Sequence, residues 1–172
     1  MEFKNDAVLL EELPVIQDAD FHKLVPQQRW LSLLNATIFF AILAIGLFAA
    51  YFWGNIELPL WADWTIWGTL LFLWLLRVLF VWKGFERKAY LLREHDMVYR
   101  SGWLTHRLIT IPFNRIQHSE IRQSFLGRLM KIARLKIYTA GGDQSDLSVP
   151  GLDPEKASEI RNFIIRRVSE HE

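Results

Sequence analysis

The chain contains no cysteine. That excludes disulfides, thiolate metal sites and cysteine nucleophiles, and it leaves the compartment open, because oxidising and reducing compartments both hold such chains. It also lacks a Gly-x-Ser-x-Gly elbow, a phosphate-binding glycine loop and a His-Glu-x-x-His pair, so hydrolase, nucleotide-binding and zinc-protease chemistries are without their parts. Charge is missing in two long stretches. Trp30 to Trp53 carries no charged residue and Trp64 to Trp82 carries only Arg77. At roughly 1.5 Å per residue these stretches give helices of ~36 Å and ~28 Å, against a hydrocarbon core of ~30 Å. About ten residues join them, so they read as a transmembrane hairpin. Trp30, Trp53, Trp61, Trp64 and Trp82 bracket the spans, where an amphipathic ring prefers the headgroup layer.

The flanks set the orientation. Lys23 and Arg29 precede the first span and Lys83, Arg87 and Lys88 follow the second, whereas the connection Gly54 to Asp63 carries only Glu57 and Asp63. The positive-inside bias therefore puts both termini in the cytoplasm, on a multi-pass protein of the cytoplasmic (inner) membrane. A cleavable signal has an apolar region of ~7–15 residues close to a basic N-terminus, and the first span is too long and begins too late for that. Three regions follow: an N-terminal tail over 1–29, the hairpin over 30–82 and one cytoplasmic domain over 83–172, since roughly 90 residues suffice for one compact unit. Charge is unevenly shared. Residues 1–29 hold three basic and six acidic side chains, and residues 83–136 hold twelve basic and four acidic.

Beyond the hairpin the pattern is β. Lys88–Arg93, Met97–Ser101, Thr105–Ile111 and Arg134–Thr139 are short runs rich in β-branched and aromatic residues with near period-two alternation. Polar, Gly or Pro punctuation separates them at Glu94-His95-Asp96, Ser101-Gly102, Pro112-Phe113-Asn114 and Gly141-Gly142-Asp143-Gln144. In Arg115–Arg122, Ile116 and Ile121 fall on opposite faces of an ideal strand, which predicts a bulge or strong bend. Phe125 to Lys131 reads as a short helix or turn. A C-terminal helix starts at Asp153-Pro154-Glu155, which supply a cap, a proline at the first helical position and a carboxylate at the positive end of the dipole. Ala157, Ile160, Ile164 and Val168, with Phe163 beside them, form the face expected to cover the sheet.

These residues carry a resemblance. Gly102-Trp103-Leu104, Ile111-Pro112, Arg115-Ile116-Gln117-His118, Leu126-Gly127-Arg128-Leu129, Leu135, Thr139-Ala140-Gly141-Gly142 and Val149-Pro150-Gly151-Leu152, in that order and spacing, resemble the bacterial pleckstrin-homology-like domain of the YdbS-like two-span membrane proteins. The resemblance implies a membrane α-hairpin plus a bent antiparallel β-sandwich or barrel with a C-terminal helix, and a non-enzymatic role. It also implies a larger membrane protein with several such domains as partner, alongside membrane lipids or further copies of the chain. Neither a cofactor nor a nucleic-acid partner is expected. The acidic Glu11-Glu12, Asp18 and Asp20 are not part of that pattern.

The chemistry available is basic. His118 and Ser119 are neighbours on a strand and point to opposite faces, the wrong geometry for a base and its nucleophile. His106 and His118 could meet on adjacent strands, but two imidazoles fall short of the three or four ligands of a metal site, and none is expected. Lys83, Arg87 and Lys88 leave the membrane directly and are candidates for lipid contact, or serve as topology determinants only. Arg107, Arg115, Arg122, Arg128, Lys131, Arg134 and Lys136 offer a further cluster. Within the spans, Asn35 and Arg77 lie at the same depth, about 7.5 Å below Trp30 and Trp82. Either they form an interhelical polar pair or Arg77 snorkels alone to the interface. The reading is a membrane-anchored interaction or assembly module, with an anionic-lipid sensor built on the juxtamembrane basic patch as the alternative.

Overall fold

The computed structural model describes residues 21–54, 58–140 and 147–169. The acidic residues of the tail up to Asp20, Glu57 of the connection and the Gly141–Gln144 turn lie outside them. Two helices dominate the first half, α1 over Gln27–Trp53 and α2 over Leu60–Glu86. Each is 27 residues long and runs past the apolar stretch at the domain end. Only 6% of the apolar window of either helix is buried inside the molecule, so Phe39, Ile42, Phe52, Leu71 and Phe72 point outward. A soluble protein does not leave such a surface in water, whereas a bilayer covers it. The helices touch along one seam, with Trp30 set edge-on to Trp82 at 6.4 Å and Trp74 Nε1 donating to Thr37 Oγ1 at 3.3 Å.

The domain is two antiparallel sheets and a helix. Strands β1 (His22–Lys23), β2 (Ala89–Leu92), β3 (Asp96–Ser101) and β4 (Arg107–Pro112) make a four-stranded sheet in sequence order. A 3-10 turn at Phe113–Arg115 leads into the second sheet, made of β5 (Ile116–Arg122), β6 (Ala133–Thr139) and β7 (Leu147–Leu152), with the short helix α3 (Phe125–Leu129) between β5 and β6. The register shifts between Ile116 and His118. This is the expected bulge, and its consequence is that Ile116 is buried and Ile121 also packs on the core. Helix α4 (Pro154–Ser169) closes the sandwich. Asp153 Oδ1 accepts from the Glu155 N–H at 2.9 Å, while Ala157, Ile160 and Ile164 are buried and Phe163 packs edge-on against Phe113 at 5.9 Å.

Two strands were not legible in the sequence. β7 contains Pro150 and Gly151, which argue against a strand interior, but it is an edge strand whose register shifts opposite Arg134, where a missing N–H is tolerated. β1 is only two residues long and precedes the hairpin, yet it pairs with β2 through His22 opposite Tyr90 and Lys23 opposite Ala89. Next to it, Leu24 is 4% exposed and belongs to the domain core. The segment before the first span is thus part of the sheet built after the second.

Candidate functional site at the joint of hairpin and domain

Three contacts fix the joint, two that tie the hairpin to the domain and one that ties its helices to each other. At the first, Gly151 adopts φ +72°, and a Cβ there would come within 2.7 Å of Gln28 Cβ and Cγ. Only glycine lets the start of α1 lie directly on β7. The Val25 N–H donates to the Gly151 carbonyl at 2.9 Å, and Gln28 and Leu31 are buried beneath the domain. At the second, the Arg29 guanidinium lies over the rings of Trp82 at 4.4 Å and Phe85 at 4.8 Å. Its cation is thereby held between the two helices by aromatic faces. At the third, the β3–β4 loop turns at Gly102 (φ +96°), where a Cβ would strike the Thr105 carbonyl, and it delivers Trp103 edge-on to Phe80 of α2 at 5.4 Å.

The basic residues separate into groups. Lys83 and Arg87 are exposed one helical turn apart near the end of α2. Lys88 instead turns inward and lines a recess with Lys23, Arg29, Trp30, Phe85 and Glu86. Burial, and then the nearby Arg134 and Arg77 guanidinium groups, hold the Lys88 ammonium below its ordinary value. Of the seven cations from Arg107 to Lys136 that the sequence offers as a cluster, three come together. Arg122, Arg134 and Lys136 form one wall of a recess of about 420 Å³ whose other wall is Gln28, Ser32 and Asn35 of α1. The pairing register places Arg122 opposite Arg134 and Glu120 opposite Lys136. Glu120 Oε1 is 2.6 Å from Arg122 Nε, 4.0 Å from Lys136 Nζ and accepts from the Tyr138 hydroxyl at 2.7 Å. That hydroxyl, with the two cations, holds the Glu120 carboxyl below the usual range.

Asn35 and Arg77 share a second recess, of about 480 Å³, with Ser32, Ala36, Phe39 and Phe40. Among the described residues no hydrogen bond joins the two. The interhelical bond of the seam is that of Trp74 to Thr37. His106 precedes β4 in the first sheet and His118 sits on β5 in the second, so they do not occupy neighbouring paired strands. Ser119 is buried while His118 is exposed beside Tyr138. Among the described residues no group of three or more metal-ligating side chains occurs.

A hairpin able to cross a membrane, fused to two antiparallel sheets closed by a C-terminal helix, defines a membrane-anchored pleckstrin-homology-like protein. A family model, the bacterial PH domain, matches residues 30–168, and the chain belongs to that family. It is 27% identical over 139 residues to the UPF0699 transmembrane protein YdbS of Bacillus subtilis, a match covering 78% of this chain and 80% of that protein. No solved structure matches it.

Proposed function

We propose that the chain is a non-catalytic assembly module, a pleckstrin-homology-like domain held in a fixed pose at the cytoplasmic face of the inner membrane so as to present its surface to another membrane protein. The observation that carries this reading is the joint that seats α1 on β7 and α2 against the β3–β4 loop. A domain that only had to reach lipid would be served by a flexible linker, and a chain with two spans needs no lipid affinity to stay at the membrane. A rigid joint instead gives the domain a defined height and rotation, which a partner in the same membrane can match. The partner class is a larger membrane protein with several such domains, or a second copy of the chain. The non-catalytic reading rests on the side chains gathered at the joint, which are cations with the carboxylates Glu86 and Glu120 and, among the described residues, no nucleophile beside a base.

Gentle solubilisation of native membranes followed by co-purification on the tagged full chain tests this. A membrane-protein partner in fixed stoichiometry, or a defined homo-oligomer, is expected. Recovery of the chain as a lone monomer, from membranes in which it is expressed at its natural level, would overturn the assembly reading.

A further inference from the structure

The second sheet contains an arrangement that costs energy as it stands. Arg122 and Arg134 face each other at paired positions of β5 and β6, and like charges directly opposite destabilise a sheet. Lys136, two residues along β6, points to the same face as Arg134. The compensating carboxylate, Glu120, is already engaged by Arg122, Lys136 and Tyr138. Arg134 has no carboxylate within ion-pair distance among the described residues, and Arg77 has none either. Arg134 and Arg77 both act on Lys88, so positive potential concentrates at this corner.

The recess lined by these cations also has the shape of an amphiphile site. Its upper part, between the β5–α3–β6 corner and α1, sets Arg122, Arg134 and Lys136 beside Leu31 and Ile132 and carries no acidic wall residue. Ser32 and Asn35 continue into the lower part, where Ala36, Phe39 and Phe40 replace the polar wall and Arg77 stands at the junction. Asn35 lies about 7.5 Å below Trp30 along the helix, so the polar part falls in the headgroup layer and the apolar part at acyl-chain depth.

We propose that this recess binds an anionic phospholipid, with its phosphate between Arg134, Arg122 and Lys136 and the start of an acyl chain along Ala36, Phe39 and Phe40 beside Arg77. Charge complementarity selects the anion. Ala36, Phe39 and Phe40 of the adjoining recess select a lipid over a free phosphate, which would fill only the upper part. The bound lipid mortars the joint between hairpin and domain. It differs from Lys83 and Arg87, which are exposed near the end of α2 and line neither recess. This site does not depend on the assembly reading, and its test uses the purified chain alone, so each can fail without the other.

The full chain, reconstituted in nanodiscs of equal phosphatidylglycerol and phosphatidylcholine and released for native mass spectrometry, is expected to retain phosphatidylglycerol selectively. Arg134→Gln with Arg77→Gln should lower the retained fraction about tenfold or more, as the loss of two juxtamembrane cations implies. Arg107→Gln on β4 should leave it unchanged. Both recess side chains are exposed, and Arg134→Gln alone, on the domain surface, carries the test should the double variant fail to fold. Equal retention of the two lipids by the unmodified chain, or undiminished phosphatidylglycerol on the variants, would overturn the site. Displacement of the lipid by excess inorganic phosphate would instead assign the cations to a free anion and overturn the lipid.

Discussion

Gly151 shows how much one residue settles here. Its left-handed backbone and missing Cβ admit Gln28 and the start of α1. Gly151→Ala should cost about 1–2 kcal/mol for the backbone conformation alone and force α1 away from β7, read as a lower melting temperature and faster proteolytic separation of hairpin from domain. Ile164, on the buried face of α4, is 1% exposed. Ile164→Asp should place an unpaired charge in the core at a cost of several kcal/mol, most of a small domain's stability, and yield a chain degraded in cells. Tyr99 is a titration probe of the same core. Burial pushes its phenol up to about 12 from 10.0, with Arg134 working slightly against the shift. A folded-state value above the unfolded one means a contribution fully present below pH 10 and lost as pH rises through 12. By linkage this amounts to about 2–3 kcal/mol. Tyr99→Phe should flatten that alkaline loss, and melting curves at about pH 9 and about pH 11.5 followed by near-ultraviolet circular dichroism would reveal it. An equal alkaline loss in both proteins would show that the phenol stays neutral for another reason or titrates without effect.

Among the elements, the strands with alternating apolar residues were legible because a half-buried strand imposes period two on its own sequence. α4 was legible because its cap and its apolar stripe are local. β1 was not, since two residues carry no period and their partner β2 lies across the whole hairpin. Leu24→Ala tests that strand's weight. With its side chain buried in the domain core it should cost about 2–5 kcal/mol, a loss expected of a core residue and far larger than that of a tail residue. In the hairpin, Asn35 and Arg77 line one recess, so Asn35→Cys with Arg77→Cys, in a chain that otherwise has no cysteine, should cross-link in membranes. Failure there, while cysteines at 30 and 82 succeed, would leave Arg77 snorkelling on its own.

For the whole molecule the deciding quantity is how the charges sit relative to the bilayer. Basic residues flank the outer ends of the hairpin and acidic ones its connection, so reporter tags at Met1 and Glu172 should both signal cytoplasm and a tag near Leu58 the opposite side. A C-terminal tag on the far side would reverse the architecture and remove the domain from the leaflet with which its cations are proposed to interact.

The sequence by itself determined the two apolar helices, the sandwich-plus-helix class and the helix that closes it, because length, hydropathy and short periodicities are local properties of the chain. It held the cations of the joint as well, but scattered over a long stretch with no sign of which would meet. Only the tertiary structure decided that Arg122 faces Arg134, that Lys136 shares their side, and that Ser32 and Asn35 of a helix nearly a hundred residues away complete the wall. Strand register and the docking of α1 on Gly151 are long-range choices. They depend on how all the elements pack at once, and no window of sequence contains them.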